Sequence, residues 1–76
     1  MGESVIFRVI NCDGNEVDYS YRDMGEFMEE WNKEDMPNIP MLDDQLVHAE
    51  VDGVVFAGET VLDAMNAIAY VYNWHY

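Results

Sequence analysis

Apolar positions along this chain switch between a period of two and a period near 3.6, and each switch marks an element. Residues 4–11, SVIFRVIN, are β-branched and aromatic, the composition of a strand. Residues 16–22 alternate cleanly, with Val17, Tyr19 and Tyr21 on one face and Glu16, Asp18 and Ser20 on the other. Between them lies the turn signal Cys12-Asp13-Gly14-Asn15. A two-residue Asp-Gly turn would set Phe7 opposite Ser20 and Val9 opposite Asp18, mixing the faces. A three-residue loop at 13–15 sets Val9 opposite Tyr19 and Phe7 opposite Tyr21. The pattern therefore predicts that loop, with Gly14 or Asn15 at positive φ.

The period then lengthens. Met24, Phe27, Met28 and Trp31 fall at i, i+3, i+4 and i+7, one stripe of a helix. Asp23 fits its N-cap and Glu26 the third position of a capping box, and Pro37 stops the helix after about Asp35. Residues 36–44 form a loop whose Met36, Ile39, Met41 and Leu42 are expected to fold back onto the core. A second hairpin turns at Asp52-Gly53, a strong two-residue signal. It sets Val51 against Val54 and Ala49 against Phe56, with Val47 on the same side; Leu46, His48, Glu50, Val55 and Ala57 take the other. Thr60 and Asp63 cap a final helix over 61–73, whose broad apolar face is Val61, Leu62, Met65, Ile68, Ala69 and Tyr72. With Asp63 its one charge, this helix is expected to be the more buried of the two. The order ββαββα predicts an α+β fold: one compact domain over 1–76, an antiparallel four-stranded sheet of two hairpins with both helices on one face.

Charge changes this picture more than composition does. Sixteen Asp and Glu stand against Arg8, Arg22 and Lys33, for a net charge of −13. Direct nucleic-acid binding is excluded, because that affinity comes largely from Lys and Arg displacing counterions. An anionic membrane surface is excluded for the same reason. The lone Cys12 forms no intramolecular disulfide. With no signal-like segment and no run of about 18 apolar residues, the chain reads as cytoplasmic.

Candidate chemistry is sparse. Residues 13–18 superficially match a calcium loop, but Val17 stands where an oxygen ligand belongs and no glycine follows Asp18, so the hairpin reading prevails. His48, His75 and Cys12 show no metal-ligand spacing. His48 reads as a partly exposed strand residue and Cys12 as a free surface thiol. Nothing resembles a nucleophile with its base, so no enzyme, metal or cofactor is expected.

Eight of the acids concentrate in residues 23–44: Asp23, Glu26, Glu29, Glu30, Glu34, Asp35, Asp43 and Asp44. Glu26 with Glu30, and Glu30 with Glu34, are like-charge i,i+4 pairs costing roughly 0.2–0.5 kcal/mol each, and only Glu29 with Lys33 returns a similar amount. Carboxylates at 23, 26, 30 and 34 make a ladder of one charge per helical turn. The other acids broaden it into a patch resembling a short stretch of phosphate backbone. A solvated face is the ordinary meaning of such a run, and halophilic adaptation gives similar charge. Here the near absence of basic residues favours a basic partner.

In size, charge and α+β layout the chain resembles the small acidic DNA-mimic inhibitors of phages and mobile elements, among them anti-CRISPR proteins, uracil-glycosylase inhibitors and anti-restriction proteins. The resemblance rests on no motif. It implies a non-enzymatic inhibitor whose eight acids face a basic nucleic-acid-binding protein or ribonucleoprotein, such as a CRISPR effector, where target DNA or its PAM duplex normally sits. A competing reading is an interaction or homodimeric assembly module using an exposed apolar sheet face of Ile6, Ile10, Leu46 and Val55. Salt separates the two, since only the charged contact weakens steeply with ionic strength.

Overall fold

A computed structural model describes residues 4–76. The elements are β1 (Val5–Ile10), β2 (Glu16–Tyr21), α1 (Met24–Trp31), β3 (Gln45–Val51), β4 (Val54–Val55) and α2 (Val61–Tyr72). The strands form one sheet in the order β2-β1-β3-β4, every neighbouring pair antiparallel. One side of that sheet is covered. Val5, Phe7 and Val9 of β1 join Phe27 of α1 and Val61, Ala64, Met65 and Ile68 of α2 in a single buried cluster, so both helices pack on the same face.

The first hairpin keeps the expected faces but not the expected register. Val5 pairs with Tyr21, Phe7 with Tyr19 and Val9 with Val17, two residues away from the pairing predicted by a 13–15 loop. The loop has three residues, but they are 12–14. Asn11 bonds Asn15 through its backbone N–H (3.0 Å), and its carbonyl accepts from Gly14 N (2.9 Å). The Asn11 side-chain oxygen also accepts from the backbone N–H groups of Asp13 and Asn15, each at 3.0 Å, which fixes Asn11 as the first turn residue. Gly14 then takes the left-handed position at φ +81. A shift of two preserves the side-chain parity, which is why the apolar face survives.

The second hairpin turns at Asp52 (φ +50) and Gly53 (φ +83), the two positive values of a type I′ turn. Val51 pairs with Val54, and Phe56 N donates to Ala49 O at 2.8 Å. A bulge alters the other end of β3. Arg8 pairs with His48 but Val9 pairs with Leu46, leaving Val47 without an opposite residue on β1. The extra residue reverses the phase of the strand. Leu46 therefore enters the core and Val47 turns out to 46% exposure, the reverse of the expected assignment.

The bulge also corrects the reading of the open sheet face. That face has lost Leu46, and its rows run Ser20–Ile6–Glu50–Val55, Asp18–Arg8–His48 and Glu16–Ile10–Gln45. Arg8 Nε lies 2.8 Å from Asp18 and 3.4 Å from Glu16, and His48 Nε2 lies 3.2 Å from Glu50. The half-buried Ile6 and Ile10 are thus separated by an ion-paired row rather than joined into an apolar sheet.

Helix α1 ends at Trp31, with Asn32 as its C-cap, short of the expected Asp35. Continuing it to Asp35 would have gathered Glu34 and Asp35 at the negative end of the helix dipole, with Lys33 alone to offset them. The chain leaves instead through Met36 in the left-handed region (φ +50). Helix α2 runs close to its expected bounds, with Asn73 as a left-handed C-cap (φ 52). The Asp63 carboxylate accepts from the backbone N–H of Glu59 (2.9 Å) and Thr60 (3.2 Å). Its buried stripe is Val61, Ala64, Met65 and Ile68, whereas Leu62 and Tyr72 are exposed. It buries more residues than α1, which buries Phe27.

The 32–44 connection is only partly folded back. Pro40 is fully buried and Ile39 half-buried, but Met36, Met41 and Leu42 are exposed. Three ties hold it. The Tyr21 hydroxyl donates to Asn38 O at 2.7 Å. Leu62 N and Val61 N, two N–H groups in the first turn of α2, donate to Leu42 O and Asp44 O, each at 3.0 Å.

Candidate functional site

The eight acids of residues 23–44 separate into two groups once their partners are identified. Four serve the fold. Asp23 accepts from Glu26 N at 2.9 Å, and Glu26 accepts from Arg22 N at 2.7 Å, one residue before the N-cap N–H that the expected capping box would use, so the two acids clasp the start of α1 in a variant of it. Glu30 accepts from Lys33 Nζ at 2.7 Å and from Asn38 N at 3.2 Å, tying the connection to the helix it leaves. Asp44 is buried, and its carboxylate accepts from Met41 N at 3.1 Å while its own N–H donates to Met41 O. The other four, Glu29, Glu34, Asp35 and Asp43, are exposed, with no side-chain hydrogen bond or ion pair among the described residues.

This corrects the ladder at 23, 26, 30 and 34. Glu34 lies beyond the helix, so the regular spacing stops at Glu30. The partner-free acids gather instead at the C-terminal end of α1 and along the connection. There the unsatisfied carbonyl end of the helix adds partial negative charge with no basic residue in the last turn to offset it. Elsewhere Asp13 and Glu59 are also exposed without side-chain partners, but singly, and others are engaged. Glu16 and Asp18 face Arg8, and Asp52 accepts from the Tyr72 hydroxyl at 2.9 Å, which raises the pKa of that phenol.

The structural acids carry a pH signature. The Glu26 backbone N–H and then the Arg22 guanidinium hold the Asp23 carboxyl below its ordinary value. Lys33 and the Asn38 N–H do the same for Glu30. A carboxylate whose folded pKa is depressed adds stability above its unfolded pKa and loses it as pH falls through the folded one. Acidification also relieves the repulsion of a −13 chain, so the useful readout is a difference between proteins. The urea midpoint of the Asp23→Asn/Glu30→Gln variant should fall less than that of the wild type from neutral pH to below about 4, the ordinary carboxylate range. Parallel curves would show that neither contact is linked to pH.

Beside Asp43, one of the four free acids, is a feature not anticipated from the chain alone. Trp31, Ile39, Pro40, Met41, Leu42 and Asp43 line an open groove of about 410 Å³. Trp31 is held in place by aromatic contacts: its ring lies 5.7 Å from Phe27, 6.1 Å from Trp74 and 5.7 Å from Tyr76. Residues 73–76 reach it because the left-handed Asn73 turns the chain back, with Trp74 N bonded to Ala69 O at 2.9 Å. The one signal for the groove was four apolar residues in a nine-residue loop, too many for a solvated connection.

Among the described residues, no group of three or more His, Cys, Asp or Glu side chains is arranged to hold a metal ion. Cys12 is exposed in the first hairpin loop, and His48 is half-buried against Glu50. No helix among the described residues is long and apolar enough to cross a membrane. Compared with protein-family models, with curated proteins and with solved structures, the chain matches none.

Proposed function

We propose that this chain is a non-enzymatic acidic inhibitor that binds a basic nucleic-acid-handling protein by presenting carboxylates where that protein holds DNA phosphates. A CRISPR effector in the bacterial cytoplasm, blocked at its target DNA or PAM duplex, is the most specific form of the reading. The observation that carries it is the set Glu29, Glu34, Asp35 and Asp43: exposed, without partners inside the fold, and grouped at the negative end of α1. Their segment is tied down at Asn38, Leu42 and Asp44, so less ordering remains at binding than for a floppy acidic tail.

The test follows from the division of the acids. Glu26 and Glu30 hold backbone groups, so reversing the charge of Glu26, Glu30 and Glu34 together would confound binding with folding. Neutralising Glu29, Glu34, Asp35 and Asp43 as amides avoids this. Bacterial lysate passed over the immobilised protein and eluted by a salt gradient should yield a basic nucleic-acid-binding protein. Its affinity should fall steeply with salt, and at least about tenfold in the amide variant. An undiminished affinity in that variant would sink the proposal.

A further inference from the structure

We infer that the groove between Trp31 and Met41 is the apolar half of the same partner site, and that it takes one bulky hydrophobic side chain from a basic segment of the partner. The inference rests on the acidic-surface reading and adds to it a pocket and the chemistry of its occupant.

The argument is one of charge complementarity around an apolar floor. The walls are Trp31, Ile39, Pro40, Met41 and Leu42, and Asp43 closes the rim. Glu34 and Asp35 lie on the stretch that joins Trp31 to Ile39, whereas Glu29, two residues before Trp31 on α1, points to the other side of the helix. Every charge without an internal partner in this region is therefore negative. An apolar side chain carried between Lys or Arg residues would fill the groove while its neighbours met the acids. A second copy of this chain would bring like charge to the same place, at −13 per copy.

The groove is also built to receive something. Trp31 is set by Phe27, Trp74 and Tyr76 on its other sides, and Pro40 is fully buried, so the floor is fixed. The exposed side is Met41, at 66%, and the connection leading to the groove carries Met36, at 89%. Methionine is flexible and polarisable, and Met41 bordering a rigid aromatic floor suits an incoming ring or branched aliphatic chain. A large apolar anchor in a pocket surrounded by polar contacts is the usual arrangement of a strong contact point.

The test uses the whole protein and two capped peptides, Lys-Arg-Phe-Arg-Lys and Lys-Arg-Ser-Arg-Lys, titrated by NMR with the Trp31 indole N–H as local probe. The Phe peptide should bind about tenfold more tightly than the Ser peptide and shift the Trp31 signal. Met41→Ser and, separately, Leu42→Ser should remove that preference without changing net charge. Equal affinity of the two peptides, with binding lost in the Glu29, Glu34, Asp35 and Asp43 amide variant, would overturn the groove and leave the acidic surface standing. A Phe preference that survives both in high salt and in the amide variant would instead make the contact purely apolar and remove the charged reading. Absence of binding by either peptide would overturn both. Self-association that Leu42→Ser abolishes would assign the groove to a second copy and overturn the basic occupant.

Discussion

Phe27→Ala should lower the free energy of unfolding by about 3–5 kcal/mol, the cost of removing a buried aromatic ring and leaving its cavity. Phe27 is fully buried and the only buried residue of α1. Its ring stands 5.4 Å from Phe7, 4.7 Å from Tyr21, 5.7 Å from Trp31 and 5.8 Å from Trp74. One side chain thus joins the central strand, the edge strand, its own helix and the segment after α2. A domain of this size has a total stability of about 4–11 kcal/mol, so the loss is a large share of it. Urea unfolding followed by circular dichroism measures the loss directly. A loss below about 1 kcal/mol, the level of an ordinary surface change, would show that α1 is not held by this contact.

Trp74→Ala should cost less, about 2–3 kcal/mol, because Trp74 is only half-buried but makes aromatic contacts with Phe27, Trp31 and Tyr76. The effect should also be local. With Trp74 gone, Trp31 loses a wall and becomes more exposed, so its fluorescence should shift to longer wavelength before any global unfolding. That readout separates the two jobs of Trp74, stabilising the fold and shaping the groove. Unchanged Trp31 emission in a destabilised variant would confine Trp74 to the first.

The elements most legible in the chain were those fixed by local chemistry. Asp52-Gly53 dictates a type I′ turn, because few other residue pairs accept two positive φ values, and that hairpin followed. Asp23 with Glu26, and Thr60 with Asp63, marked helix starts through bonds made within a few residues. What stayed hidden depends on contacts distant in sequence. The bulge at Val47 exists where β3 meets β1, and no pattern within 45–51 distinguishes Leu46-in from Val47-in without knowing that partner. The first hairpin slipped by two because Asn11, read as the end of a strand, uses its side chain to open the turn.

The candidate site shows the same division. That residues 23–44 are acidic is visible at once, but which acids are free is not. Glu30 and Glu34 look equivalent on a helical wheel. The structure separates them, because α1 stops between the two and Glu30 bonds an amide eight residues on. Asp44 looked like an extension of the charged surface and is instead buried against Met41 N. The groove depended on Trp74 and Tyr76 arriving behind Trp31, a meeting of residues more than 40 positions apart.

The strand order β2-β1-β3-β4 has a consequence for how the chain is made. Of the two inner strands, β1 precedes β3 in the chain, so that Ile6 waits for Glu50. At about 5–20 residues per second, the ribosome needs roughly 2–8 s to deliver β3 after β1 has emerged. During that interval the edge of β1 that faces β3 has its backbone N–H and C=O groups unpaired, and Val5, Phe7 and Val9 on its inner face lack helix α2 to cover them. Open hydrophobic edges recruit other chains. The nascent half that carries this edge also carries Asp13, Glu16, Asp18 and the acids of α1, and its copies repel one another. The same surplus of charge that marks the finished surface would keep unfinished copies apart until the sheet closes.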